Sequence, residues 1–119
     1  MKQFLIFLSF LAVCFTTGRA QTPPSADQVL QAAYTKAARE HKKVFLIFHA
    51  SWCGWCRKMD SSMNDVSCKK FFDDNFVITH LVVMESKGKE NLENPGALDL
   101  LKKYKADRSG MPFWVLFDA

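Results

Sequence analysis

The sequence lacks an apolar run long enough to cross a bilayer, enough residues for two domains, and a strong excess of either charge. The longest apolar run, residues 4–15, is shorter than the roughly 18 residues that a spanning helix needs. A chain of 119 residues suits one domain, and a formal net charge of +4 gives no reason to expect a nucleic-acid partner. We therefore expect a single domain with no stable membrane span and no nucleic-acid partner.

The first 20 residues have the order of a secretory signal peptide. Lys2 precedes the apolar run, which is followed by polar residues and a small residue, Ala20. We expect cleavage after Ala20 and a periplasmic or secreted protein, whose net charge falls from +4 to +2 because the positive charges of Lys2 and Arg19 are removed. Residues before Cys14 resemble a lipoprotein cleavage box, but Val13 is large for that position, so lipid anchoring is not expected.

A short tether at residues 21–24 is predicted to lead into one domain at residues 25–119. Ser25 and Gln28 have the spacing of a capping box, which marks the start of a helix. Apolar residues then recur at i, i+3 and i+4 as far as about His41. This pattern predicts an amphipathic helix that packs on a sheet.

Two apolar runs predict strands, with helical segments between them. Residues 44–48 form an unbroken, partly β-branched run that is typical of a strand buried on both faces. Residues 76–84 predict a second strand, after helical segments that reach residue 64 and span residues 66–74. Strand, helix and strand in this order predict a parallel crossover.

The last third of the chain predicts a loop, a helix and a third strand. Residues 85–93 are polar and charged, and Asn94 followed by Pro95 predicts a helix cap with proline at the first helical position. Residues 112–117 are apolar and predict the strand. Asp118 reads as the start of a hairpin turn.

Cys53 and Cys56 carry the most specific chemical signal. Cysteines at i and i+3 on one helical turn face the same side, so a reversible disulfide needs little backbone movement. Cys53 is predicted to lie in the first turn, where free N–H groups and the helix dipole favour a thiolate, which makes it the nucleophile. Cys56 lies one turn deeper and is predicted to resolve the mixed disulfide. Cys68 is left over and is predicted to be a buried, inert thiol.

A zinc site is the alternative for the same cysteines. Cys53, Cys56, Cys68 and His80 would complete a four-ligand set in a metal-stabilised binding module. Zinc knuckles usually lie on short loops, whereas this motif joins a buried strand to a helix. We therefore expect no metal, and we keep a zinc-stabilised or catalytically weak binding module as the alternative function.

The run Trp52-Cys53-Gly54-Trp55-Cys56 after a strand, with Gly110-Met111-Pro112 before another, resembles the thioredoxin superfamily. The resemblance covers residues 25–119 and is greatest to exported bacterial thioredoxin-like proteins. It implies an α/β thioredoxin-like fold with a central mixed sheet flanked by helices. It also implies a thiol-disulfide oxidoreductase that acts on exported protein thiols, without a bound cofactor and with an upstream redox partner.

The resemblance further implies a substrate-binding surface beside the cysteines. Pro112 is expected to be cis, and Met111 is expected to offer its backbone to an extended substrate segment, as an added strand would. Trp52 is expected to cover the apolar side of the cysteine pair and to help dock substrate.

The chain also departs from the family pattern. Thioredoxins proper have a buried acid six residues before the first cysteine, where this chain has Ile47, so His49 is considered as a possible proton shuttle. The Gly54-Trp55 pair matches neither reducing nor oxidising relatives. Thioredoxin folds continue with a hairpin strand and a helix, so we expect a fragment or a truncated variant with residues 113, 115 and 117 on an unprotected face or edge.

Overall fold

A computed structural model describes residues 21–118 of the chain. The predicted signal peptide and Cys14 lie outside the described residues. No helix within residues 21–118 combines the length and the apolar character needed to cross a bilayer.

Four helices, one 3-10 turn and three strands make up this part of the chain. In chain order they are α1 (Ala26–Glu40), β1 (Lys43–His49), α2 (Gly54–Met63), α3 (Lys69–Asn75), β2 (Phe76–Val82), a 3-10 turn (Glu90–Leu92), α4 (Ala97–Lys103) and β3 (Phe113–Phe117).

The three strands form one mixed sheet in the order β2-β1-β3. β1 and β2 run parallel, with Ile47 beside His80, which confirms the predicted crossover. β3 runs antiparallel to β1, with Phe113 beside Phe48. The end of β1, the end of β2 and the start of β3 therefore lie at the same edge of the sheet.

β1 is the buried centre of the fold. Residues 44–48 are all buried, as the unbroken apolar run predicts. Side chains alternate between the faces of a strand, so Leu46 and Phe48 meet α1 and α4 on one face, whereas Phe45 and Ile47 meet Met63 of α2 on the other. Helices cover both faces, which confirms the predicted α/β class with a central mixed sheet flanked by helices.

α1 begins as its sequence predicts. The Ser25 hydroxyl accepts the N–H of Gln28 at 3.2 Å, and the Gln28 side chain accepts the N–H of Ser25 at 2.9 Å. Two free N–H groups at the helix start are satisfied by this capping box. The inner face of α1 is lined by the small residues Ala26, Ala33 and Ala37, which allow the helix to lie close to the sheet.

α3 starts later than predicted, and Cys68 is exposed. The Asp65 carboxylate accepts the backbone N–H of Ser67 at 2.9 Å, which holds residues 65–67 in a turn that precedes the helix. Val66 is 94% exposed for this reason. The prediction of a buried Cys68 is wrong, because the turn places this free cysteine at the exposed N-terminal end of α3.

α4 is not capped by Asn94. The helix begins at Ala97 after Gly96, whose φ of 82° is a left-handed conformation that glycine adopts without strain. The Asn94 side chain, which is 8% exposed, instead accepts the N–H of Val82 at 2.7 Å and donates to the Pro24 carbonyl at 2.8 Å. The predicted cap is wrong because these two tertiary hydrogen bonds use both ends of the amide.

The exposed face of β3 is the opposite of the predicted one. Phe113, Val115 and Phe117 are partly buried and pack against the core, whereas Trp114 and Leu116 are 50% and 44% exposed. Alternation along the strand explains the difference, since alternate side chains face the layer of α1 and α4. The Trp114 ring stacks on Phe45, with the ring centroids 5.4 Å apart.

Candidate functional site

Most of the sequence-predicted site residues lie at one edge of the sheet. β1 ends at His49 and continues through a turn into Cys53, where the Cys53 N–H donates to the Ala50 carbonyl at 3.0 Å. The Met111–Pro112 peptide bond, which is cis, directly precedes β3, whose start lies beside the end of β1. The cysteine-bearing turn and the proline are therefore brought to the same edge.

Cys53 and Cys56 form a disulfide at the start of α2. Their Cα atoms are 5.3 Å apart, and both residues are 2% exposed. Cys53 is the N-cap residue, and its Sγ accepts the backbone N–H of Cys56 at 3.1 Å. A helix N-terminus presents free N–H groups and the positive end of its dipole, so negative charge on this sulfur is stabilised.

Two exposed tryptophans flank the disulfide. Trp52 is 53% exposed, and its indole N–H donates to the Met84 carbonyl at 2.8 Å, which fixes the ring across the end of β2. Trp55 is 68% exposed, and the Lys58 ammonium lies 4.9 Å from its ring centroid. The buried cysteines thus have an exposed aromatic side chain next to each of them in the chain.

A carboxylate holds the turn that leads into Cys53. Glu85 accepts the backbone N–H of Ser51 at 2.6 Å and the Ser51 hydroxyl at 2.7 Å. The Ser51 carbonyl accepts a hydrogen bond from Arg57 at 2.8 Å. Desolvation raises the pKa of the Glu85 carboxyl, but hydrogen bonds from Ser51 and Ser86 and the nearby charge of Lys89 together outweigh it, so this pKa lies below its ordinary value.

Two histidines and an aspartate lie between α2 and the sheet. His80 Nε2 is 2.9 Å from Asp60 Oδ1, and the rings of His49 and His80 meet edge to face with centroids 5.0 Å apart. Burial, followed by the nearby His80, lowers the pKa of His49 below its ordinary value, while Asp60 and Glu85 act in the opposite direction. Ile47, at the position of the thioredoxin acid, is buried among apolar side chains.

The four residues of the zinc alternative are not brought together. Cys53 and Cys56 bond to each other, His80 pairs with Asp60, and Cys68 lies exposed at the N-terminal end of α3. Within residues 21–118, no three His, Cys, Asp or Glu side chains are arranged to hold a metal ion.

The mixed sheet flanked by helices and the Cys53–Cys56 disulfide together define a thioredoxin-like domain with a Cys-x-x-Cys pair. Thiol-disulfide exchange is the general chemistry of this class. A family model described as thioredoxin-like matches residues 25–119, so the chain belongs to the thioredoxin-like family. No curated protein matches the chain.

Two solved structures are similar in fold. A disulphide isomerase from Xylella fastidiosa Temecula1 has a TM-score of 0.60 and 22% identity, over 91% of this chain and 73% of that one. A thioredoxin from Thermus thermophilus has a TM-score of 0.50 and 18% identity, over 81% of this chain and 65% of that one. At these identities the likeness concerns the fold alone, and it confirms the predicted thioredoxin-like fold.

Sequence reasoning missed Asp60 and Glu85. Asp60 follows Cys56 by four residues, and this spacing places both on one face of α2, so an acid on the inner face was a detectable signal. Glu85 lies in a polar loop whose composition resembles any surface segment. Only the parallel pairing of β1 and β2 brings that loop to the cysteine turn.

Proposed function

We propose that this protein is a thiol-disulfide oxidoreductase that exchanges disulfides with protein thiols through Cys53 and Cys56. The main support for this proposal is the buried disulfide at the first turn of α2. The exposed Trp52 is next to Cys53 in the chain, and Met111–Pro112 lies at the same edge of the sheet. The family membership of residues 25–119 supports it.

In the direction of substrate reduction, the Cys53 thiolate attacks one sulfur of a substrate disulfide. A mixed disulfide forms, and the other substrate sulfur leaves as a thiolate that takes up a proton. Cys56 then loses its proton and attacks the Cys53 sulfur, so the second substrate sulfur leaves. Two electrons pass from the cysteine pair to the substrate. The reverse sequence oxidises a substrate dithiol.

We propose that the substrates are exported proteins. The signal-peptide pattern of residues 1–20 supports export, and disulfides persist in compartments outside the cytosol. An extended substrate segment would pair with the Met111 backbone and contact the Trp52 ring. An upstream redox partner would restore the reduced form.

Trapping the mixed disulfide tests the mechanism. In a Cys68→Ser background, which removes the exposed free thiol, the reduced Cys56→Ser variant should accumulate a covalent complex with a peptide disulfide, because no second sulfur is present to release it. The Cys53→Ser variant in the same background should form no complex and should lose insulin reduction. Mass spectrometry with and without dithiothreitol detects the covalent complex, and an insulin reduction assay measures the loss of activity.

The control is Cys68→Ser, which removes the remaining cysteine of the described residues. It should reduce insulin at the wild-type rate. Equal covalent trapping by Cys53→Ser and Cys56→Ser would refute the assigned order of attack. Tight, stoichiometric zinc in the purified protein, together with inert thiols, would support the binding module instead. A measured reduction potential would assign the direction of exchange.

A further inference from the structure

The proton of the Cys56 thiol needs an acceptor before this sulfur can attack. In this chain the strand position that carries an acid in thioredoxins is Ile47, which is 1% exposed and packs against Met63. An isoleucine side chain cannot accept a proton. The titratable groups next to it in the fold therefore become the candidates.

The neighbouring candidates lie on the same face of the sheet. His49 is two residues after Ile47 on β1, so the two side chains share a face, and His80 lies beside Ile47 in the parallel register. This face is covered by α2, whose residue Asp60 lies one helical turn after Cys56 and contacts His80 at 2.9 Å. The helix turn that carries Cys56 thus continues directly into the residue that contacts His80.

Exposure increases along this group of residues. Cys56 is 2% exposed and His49 is half-buried, whereas the His80 and Asp60 side chains are 33% and 38% exposed. The His49 and His80 rings are in contact, and His80 contacts Asp60, so titratable side chains lead from the half-buried His49 to partly exposed groups. Histidine suits such a path because it exchanges protons near neutral pH.

We propose that a ring nitrogen of His49 accepts the Cys56 proton, directly or through one water, and that His80 and Asp60 position His49 and pass the proton on to solvent. This inference rests on the proposed function. In the step, the S–H bond of Cys56 breaks, the proton bonds to His49, and the Cys56 thiolate attacks Cys53 to close the disulfide. The substrate sulfur leaves with the electron pair.

The charges that face His49 come from three elements. His80 of β2 disfavours the imidazolium, whereas Asp60 of α2 and Glu85 of the loop after β2 favour it. Since burial also disfavours the charged ring, the pKa of His49 is lowered, and the ring is neutral and able to accept a proton at pH 7. Closure of the Cys53–Cys56 disulfide should slow as the pH falls through the pKa of His49, because an imidazolium cannot accept the proton.

A two-step reaction of the mature reduced protein with equimolar dithiobis(nitrobenzoate) tests the proposal. The first thionitrobenzoate is released when Cys53 attacks, and the second when Cys56 closes the disulfide. His49→Gln should slow the second release at least about tenfold at pH 7 and remove its acid-side inflection, with the first release unchanged. Cys68→Ser serves as the background for all variants, so that only the pair reacts.

The neighbouring variants should shift the inflection in opposite directions. His80→Gln should move its midpoint to higher pH, because a repelling group is removed, and Asp60→Asn should move it to lower pH, because an attracting charge is removed. If His80 and Asp60 had only a structural role, their variants would slow both releases without moving the midpoint of the pH inflection. His41→Asn is the matched control, since His41 is exposed at the end of α1 and its left-handed backbone suits asparagine.

Histidine NMR titration of the wild type gives a measurement that needs no variant. The titration midpoint of His49 should differ between the reduced and the oxidised protein. Equal His49 midpoints in the two forms, or an unchanged second release in His49→Gln, would overturn the inference. A wild type that releases no second thionitrobenzoate would instead overturn the proposed function itself.

Discussion

Replacing Asn94 should destabilise the protein by more than the loss of a helix cap. The side chain accepts the Val82 N–H at 2.7 Å and donates to the Pro24 carbonyl at 2.8 Å, so it joins the end of β2 to the segment before α1. A buried donor without a partner costs about 1–3 kcal/mol, and an ordinary hydrogen bond contributes about 1 kcal/mol. Asn94→Ala should therefore lower the free energy of unfolding by about 2–4 kcal/mol.

Asn94→Ser separates this role from capping. Serine caps a helix about as well as asparagine, so a capping residue would tolerate the change, whereas alanine would cost about 1 kcal/mol. The serine side chain is too short to reach both Val82 and Pro24, so the serine variant should lose about as much stability as the alanine variant.

Urea unfolding of the oxidised protein, followed by circular dichroism, measures these differences. The matched control is Asn91→Ala, because Asn91 is exposed in the 3-10 turn, and surface changes of this kind cost within about 0.5 kcal/mol. A serine variant with wild-type stability would refute the reasoning, and so would an alanine variant that differs from wild type by less than the control.

Three further predictions concern the surroundings of the disulfide. Glu85→Gln should destabilise the protein at pH 7, and the difference from wild type should shrink as the pH falls below the ordinary value of 4.5, because a carboxyl with a lowered pKa stabilises the fold only while ionised. Unfolding curves across this pH range check the sign. Trp52→Phe should lose the hydrogen bond to Met84 and raise KM for a peptide disulfide more than for a small aromatic disulfide, as steady-state assays would show. In the oxidised mature protein, iodoacetamide should label Cys68 alone, as peptide mass spectrometry would show.

The local elements that position the cysteines could be predicted from the sequence, because they depend on short-range patterns. The capping spacing of Ser25 and Gln28 and the unbroken run at residues 44–48 each correspond to an observed element. The spacing of Cys53 and Cys56, directly after that strand, predicts a disulfide-capable pair at the start of a helix, and the structure has this arrangement. In each case the interacting groups are a few residues apart, so the backbone geometry of one element brings them together.

The surroundings of the pair were decided by tertiary structure. Local sequence predicts a helix cap for Asn94 and a buried position for Cys68, because a short polar side chain and an unpaired thiol suit those roles locally, and both predictions are wrong. Asp60 and His80 are 20 residues apart in the chain, and Ser51 and Glu85 are 34 apart. Such pairs form only when the parallel register of β1 and β2 and the packing of α2 on the sheet are both fixed. Local sequence patterns therefore determined the disulfide pair, and long-range packing determined which polar groups surround it.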